Sequence, residues 1–193
     1  MTTGRRVWAG LFVATILSFP VPFLAAKVPS ATKVEDVVRI LKAKARATPE
    51  DLAVAGSEVD VVLTDLLANR TMDREVRSRA AWALGGYPGP RSRAVLISVA
   101  SDRVEEPSVR ASALIGYARV AGPGAVADLK SYLKDPSPVL RAGAARALGA
   151  AGGPDARSLL AEAIVHEEDL EVRLVMDKVL KEMEGRDGSR SRE

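Results

Sequence analysis

The chain has 193 residues, room for one domain with a sizeable core, and 47% of them are hydrophobic and 27% charged. It has one His and no Cys, which excludes disulfides, thiol catalysis, Cys-ligated zinc, iron–sulfur clusters and any site needing two imidazoles. The net charge is +3, of which Arg5 and Arg6 supply two, leaving 26 basic against 25 acidic residues after position 26 and no general basic footprint for nucleic acid.

Residues 1–26 read as a signal peptide or a membrane anchor. Arg5 and Arg6 precede an apolar run from residue 7 to residue 19, followed by Pro20, Pro22 and the small pair Ala25-Ala26. A charged start, a short apolar stretch and small residues before a polar region mark a secretory signal. Cleavage after Ala26 puts Leu24 where a small residue is preferred. The uncleaved alternative also fits, since residues 7–26 are long enough to cross a bilayer. Either way the body is expected to be exported, or anchored with Arg5 and Arg6 on the cytoplasmic side. The flanks of Arg5-Arg6 match a twin-arginine signal poorly, and the wholly apolar circumference argues against a helix buried in a soluble domain.

Residues 27–56 are expected to be a linker and a divergent N-terminal capping helix. Val37, Val38 and Leu41 share one face of a helix over residues 34–46, and Thr48-Pro49-Glu50 breaks it. A second helix over residues 57–68 carries Val59, Val62, Leu63 and Leu66 on one face.

The body is a repeat. Arg77, Arg110, Arg141 and Arg173 each follow Val or Leu, at spacings of 33, 31 and 32 residues. Thirteen residues after each of the first three stands a Pro (Pro90, Pro123, Pro154), preceded by Gly89, Gly122 and Gly153. Nineteen residues after each stands a Leu: Leu96, Leu129 and Leu160. Ala80, Ala113 and Ala144 fall on the apolar face of a first helix, A, where small side chains let helices approach closely. This suits a chain with only 4% aromatics, whose three Phe all lie in residues 1–26. Gly85, Gly149 and the Gly-Pro pairs are expected to stop helix A, with the Pro opening helix B. One such pair cannot bury its own apolar faces, so the fold class expected is all-α, an α-solenoid of about four stacked helix-turn-helix units over residues 57–184. The last unit has only helix A, and residues 185–193 are expected to form a disordered polar tail.

The stretch from Asp135 to Gly149, DPSPVLRAGAARALG, resembles the HEAT repeat family, in particular the short HEAT-like repeats of phycobilisome lyases. Over residues 57–183 the resemblance implies a ladder in which a turn acid meets the helix A arginine of a neighbouring unit. Arg77, Arg110, Arg141 and Arg173 are then structural. An Asp stands six before the Arg only at Asp135, and Glu167 holds that place before Arg173; the first two units have Thr71 and Val104 there, so Asp73 and Glu105 or Glu106 would have to substitute. The resemblance also implies that B helices line the concave, partner-binding face. That makes Arg93, Lys130, Lys134 and Arg157, with Arg91, candidate contacts for an acidic partner segment, although Asp128, Asp155 and Glu162 interrupt the positive charge. Those interruptions favour the reading of a solvated helix face.

Little else suggests chemistry. His166-Glu167-Glu168 is a lone metal-ligand pair and reads better as a helix C-terminal charge. Trp82 and Tyr87 are an interface hot spot or a filler between repeats. No nucleophile elbow and no phosphate loop is present. The expected function is a non-enzymatic scaffold that binds protein partners without a cofactor. The alternative is a lyase-type or chaperone-like subunit acting on a cofactor-bearing protein, by fold analogy. Nucleic-acid binding is opposed by the near-neutral body and the scarcity of aromatics.

Overall fold

The computed structural model describes residues 32–190, and residues 1–26, where the signal or anchor was expected, lie outside them. Among the described residues every regular element is a helix. The chain runs α1 (Val34–Ala43), α2 (Pro49–Leu52), α3 (Val59–Ala68), α4 (Arg74–Leu84), α5 (Pro90–Ser101), α6 (Pro107–Ala121), α7 (Val126–Leu129), α8 (Pro138–Ala151), α9 (Gly153–His166) and α10 (Leu170–Arg190). Short 3-10 turns at Gly122–Ala125 and Lys130–Lys134 flank α7.

The A helices α1, α4, α6, α8 and α10 stack in one layer, each against the next. The B elements α3, α5, the α7 segment and α9 form the other. The B helices α3 and α5 pack more extensively on the following A helix than on their own. The apolar filling is a column of fully buried leucines, among them Leu84, Leu96, Leu114, Leu129, Leu148 and Leu160. Ala80, Ala113 and Ala144 are also wholly buried, as their helical spacing predicts. Burial of such faces between neighbours is what holds a stack of short helices together.

The A helices touch nearly backbone to backbone. A Cβ on Gly85 would lie 2.7 Å from Gly116 Cα, and one on Gly143 would lie 2.6 Å from Ala111 Cβ. Gly149 is not a helix stop. It lies inside α8, where a Cβ would come closer than 3.0 Å to Val179 of α10. Gly122 (φ +59°) and Gly152 (φ +72°) end α6 and α8 instead, in left-handed conformations that an L side chain rarely adopts.

The prolines follow the repeat with one departure. Pro90 opens α5 and Pro154 is the second residue of α9, but Pro123 lies in a 3-10 turn. Gly122 and Gly124 flank it, and two poor helix formers leave the first turn of that B element to tighten. At Thr48-Pro49-Glu50 the chain breaks and restarts as α2. Thr48 Oγ1 accepts from Asp51 N–H and Asp51 Oδ2 accepts from Thr48 N–H (3.0 Å), a capping box within the interval expected to hold a linker and a capping helix.

The boundary expected at residue 184 lies inside α10, whose helix continues to Arg190. Arg186 carries it past Gly185. Its Nη2 donates to Gly149 O at 2.7 Å and its Nε to Glu182 O at 3.3 Å, tying the last turns of α10 to the end of α8.

Asp73 caps α4. Its Oδ1 accepts from Glu75 N–H (2.8 Å) and Val76 N–H (3.2 Å), satisfying donors with no partner inside the helix. Asp73→Ala should cost about 1 kcal/mol, read as a lower midpoint in urea. An unchanged midpoint would refute the cap.

Candidate functional site

Two features organise the surface: a buried ladder between units and a pair of grooves in the B layer. The ladder begins with Arg77, 5% exposed. Its Nε and Nη2 donate to Leu67 O in the last turn of α3, at 3.1 and 2.9 Å. Nη1 donates to Glu105 Oε1 at 2.9 Å, and Nη2 also pairs with Glu105 Oε2. Arg110 repeats the pattern more loosely. Its Nε donates to Ala100 O at 2.9 Å, and Nη2 stands 3.7 Å from Asp135 Oδ2. Arg141 holds Glu167 with both Nε (2.8 Å) and Nη2 (2.9 Å), while Nη1 donates to Asp135 O at 3.0 Å.

Arg77 and Arg110 therefore satisfy carbonyls at the end of the preceding B element, Arg141 those of the turn that follows it, and each grips the acid that leads into the next A helix. A planar guanidinium with five donors suits this double task. Glu105, not Glu106, takes the rung, because Glu105 is buried and Glu106 is exposed. Asp73 takes none, being engaged as the cap of α4.

Burial pushes the Glu105 carboxyl up, but hydrogen bonds from Arg77 and from the Glu106 N–H outweigh it and hold the group below the usual carboxylate range. The Arg141 hydrogen bonds hold Glu167 below it too, against burial. Both folded pKa values are depressed, so their stabilisation is present above the unfolded value of about 4.3 and is lost as pH falls through the folded values. The melting temperature should therefore drop below about pH 4, and Glu105→Gln/Glu167→Gln should lose less over that interval. Equal acid losses in both proteins would remove these rungs as the cause.

The grooves lie between successive B elements. One, about 870 Å³, runs between α5 and the α7 segment over the second half of α6. Arg93, Ile97, Val120, Ser131 and Tyr132 line it, with Tyr117, whose hydroxyl donates to Asp128. Burial and that carboxylate raise the Tyr117 pKa, so the phenol is a neutral donor. The other groove, about 460 Å³, lies between the end of the α7 segment and α9. Lys130, Lys134, Leu159 and His166 line it, facing Glu162, Glu167 and Glu168.

The structure thus divides the predicted basic set. Arg93 lies in the first groove, Lys130 and Lys134 lie together in the second, and Arg157 lines neither. The tyrosine–aspartate pair escaped the sequence reading. Tyr117 stands where the other units have Leu84 and Leu148, and that one polar substitution in an apolar register was the available signal. His166 is exposed, and among the described residues no group of three or more potential ligands is placed to hold a metal ion. Trp82 is half-buried against the core, with the Arg119 guanidinium 4.2 Å from its ring centroid. Tyr87 is half-buried as well, which raises its pKa. Among the described residues no helix is long and apolar enough to cross a membrane.

Paired helices stacked in register, joined by an arginine–carboxylate ladder, define the class: a helical-repeat solenoid. Residues 76–181 of the chain are HEAT-like repeats. Residues 103–181 match HEAT repeats, and residues 76–102 match the PBS lyase HEAT-like repeat. A search of curated proteins gave no match.

Proposed function

We propose that the chain is a non-enzymatic scaffold that binds a protein partner along its B layer, exported or held at a membrane through residues 1–26. HEAT repeats generally serve as protein-interaction scaffolds. The observation that carries the reading here is the pair of grooves opening on one layer between successive B elements, with apolar floors and Arg93, Lys130 and Lys134 at their walls. Such surfaces take a side chain from a partner while the basic rim orients an acidic segment.

Charge reversal tests it. Arg93→Glu/Lys130→Glu should remove the crosslinked partner recovered from native cells while leaving the melting temperature within a few degrees, because both side chains are exposed. Retention of the same partner in full would refute the groove reading. For export, a soluble chain beginning at Lys27 supports a cleaved signal, and a membrane-bound chain keeping residues 7–26 supports an anchor. A full-length soluble cytoplasmic chain overturns both.

A second reading is a lyase-type or chaperone-like subunit acting on a cofactor-bearing protein. The match of residues 76–102 to the PBS lyase HEAT-like repeat favours it. Copurified visible absorbance would support it, and a colourless complex would count against it.

A further inference from the structure

Three rungs of the ladder are filled and a fourth is open. Arg77, Arg110 and Arg141 each meet a carboxylate from the turn leading into the next A helix. Arg173 occupies the same register position on α10, yet it is exposed and forms no ion pair among the described residues. Two neighbouring acids are otherwise engaged. Asp169 Oδ1 accepts from the N–H groups of Glu171 and Val172, at 2.9 and 3.1 Å, and Asp177 pairs with Lys181 at 2.5 Å.

Apolar side chains flank the open rung. Leu170 is 62% exposed and Leu174 is 60% exposed, one turn apart on α10. Leu174 stands where α6 and α8 carry Ala111 and Ala142, residues that lie within the stack. Further along, the same face of α10 changes character. Asp177 and Lys181 occupy the positions of Ala81 in α4 and Gly85 at its C-terminal cap, and of Ala145 and Gly149 in α8. A whole helix stacked on α10 would have to desolvate that ion pair. The face therefore invites contact only at its Arg173 end.

We propose that Leu170, Arg173 and Leu174 form a second docking surface, which receives an acidic, helix-leading turn from a heterologous protein partner. The partner's carboxylate would take the place on Arg173 that Glu105 takes on Arg77, and its following apolar residues would cover the two leucines. Charge selects this occupant. Residues 1–31 of the chain contain no Asp or Glu. In a second copy the three turn acids that fill the rungs, Glu105, Asp135 and Glu167, are already engaged.

The test uses the full chain and a stapled helical peptide of residues 102–118, which carries the Glu105 turn as a model acidic ligand. Fluorescence anisotropy should show saturable binding below about 1 mM. Arg173→Ala in the protein, or Glu105→Gln in the peptide, should each weaken binding at least about tenfold. Arg39→Ala, on α1, should leave it unchanged, and the melting temperature of the Arg173 variant should match the parent. No binding, or binding indifferent to Arg173, would overturn the proposal. Self-association of the chain that disappears on Arg173→Ala would overturn the choice of a heterologous partner.

Discussion

Arg77→Met is expected to cost about 3–5 kcal/mol, the loss that follows when one partner of a buried ion pair is removed. Glu105 stays behind with a side chain only 5% exposed and without its ion-pair partner, and Leu67 O loses both of its arginine donors. Against a total stability of about 5–15 kcal/mol, that is a large share. For a chain of this size the melting temperature should fall by roughly 6–20 °C. Arg77→Met/Glu105→Met should recover much of the loss, because replacing both members of a buried pair with apolar groups is often close to neutral. Arg173→Met should change stability by no more than about 0.5 kcal/mol, since that arginine is exposed. Similar losses at Arg77 and Arg173 would show that the ladder contributes little.

The second large effect lies at Gly116. A Cβ there would come closer than 3.0 Å to Ala81 O, a backbone atom of α4, and within 3.0 Å of Leu96 Cδ2. The carbonyl cannot swing aside without disturbing the helix. Gly116→Val should therefore force α4 and α6 apart and cost about 3 kcal/mol, the upper end of the usual overpacking penalty. The gain of about 1 kcal/mol from removing a mid-helix glycine is too small to offset it. Gly185→Ala supplies the contrast: an added Cβ there meets nothing, and the exposed helix should gain about 0.5–1 kcal/mol. Urea unfolding of both variants measures the difference. If Gly116→Val were neutral, the close approach of the A helices would not be a source of stability.

Much of this architecture is legible in the order of residues, for a local reason. The spacing from Arg77 to Ala80 to Leu84 repeats the helical period, and Gly-Pro pairs mark where one helix ends and another begins. Both signals act within a few residues along the chain. The site is less legible. The basic residues Arg93, Lys130, Lys134 and Arg157 look alike in sequence, yet the first three line two separate grooves and Arg157 lines neither. The difference comes from how far apart neighbouring B elements sit, and no single unit encodes that distance.

The sequence by itself determined the unit, its length, its helical faces and its small-residue core, because each follows from periodicity and from the backbone preferences of Gly and Pro. Only the tertiary structure decided which acid meets which arginine, that Gly149 is a contact and not a stop, and that Arg173 stands open. Those outcomes depend on the offset between stacked helices. That offset arises from the fit of one unit's surface against the next, between residues more than twenty positions apart in the chain.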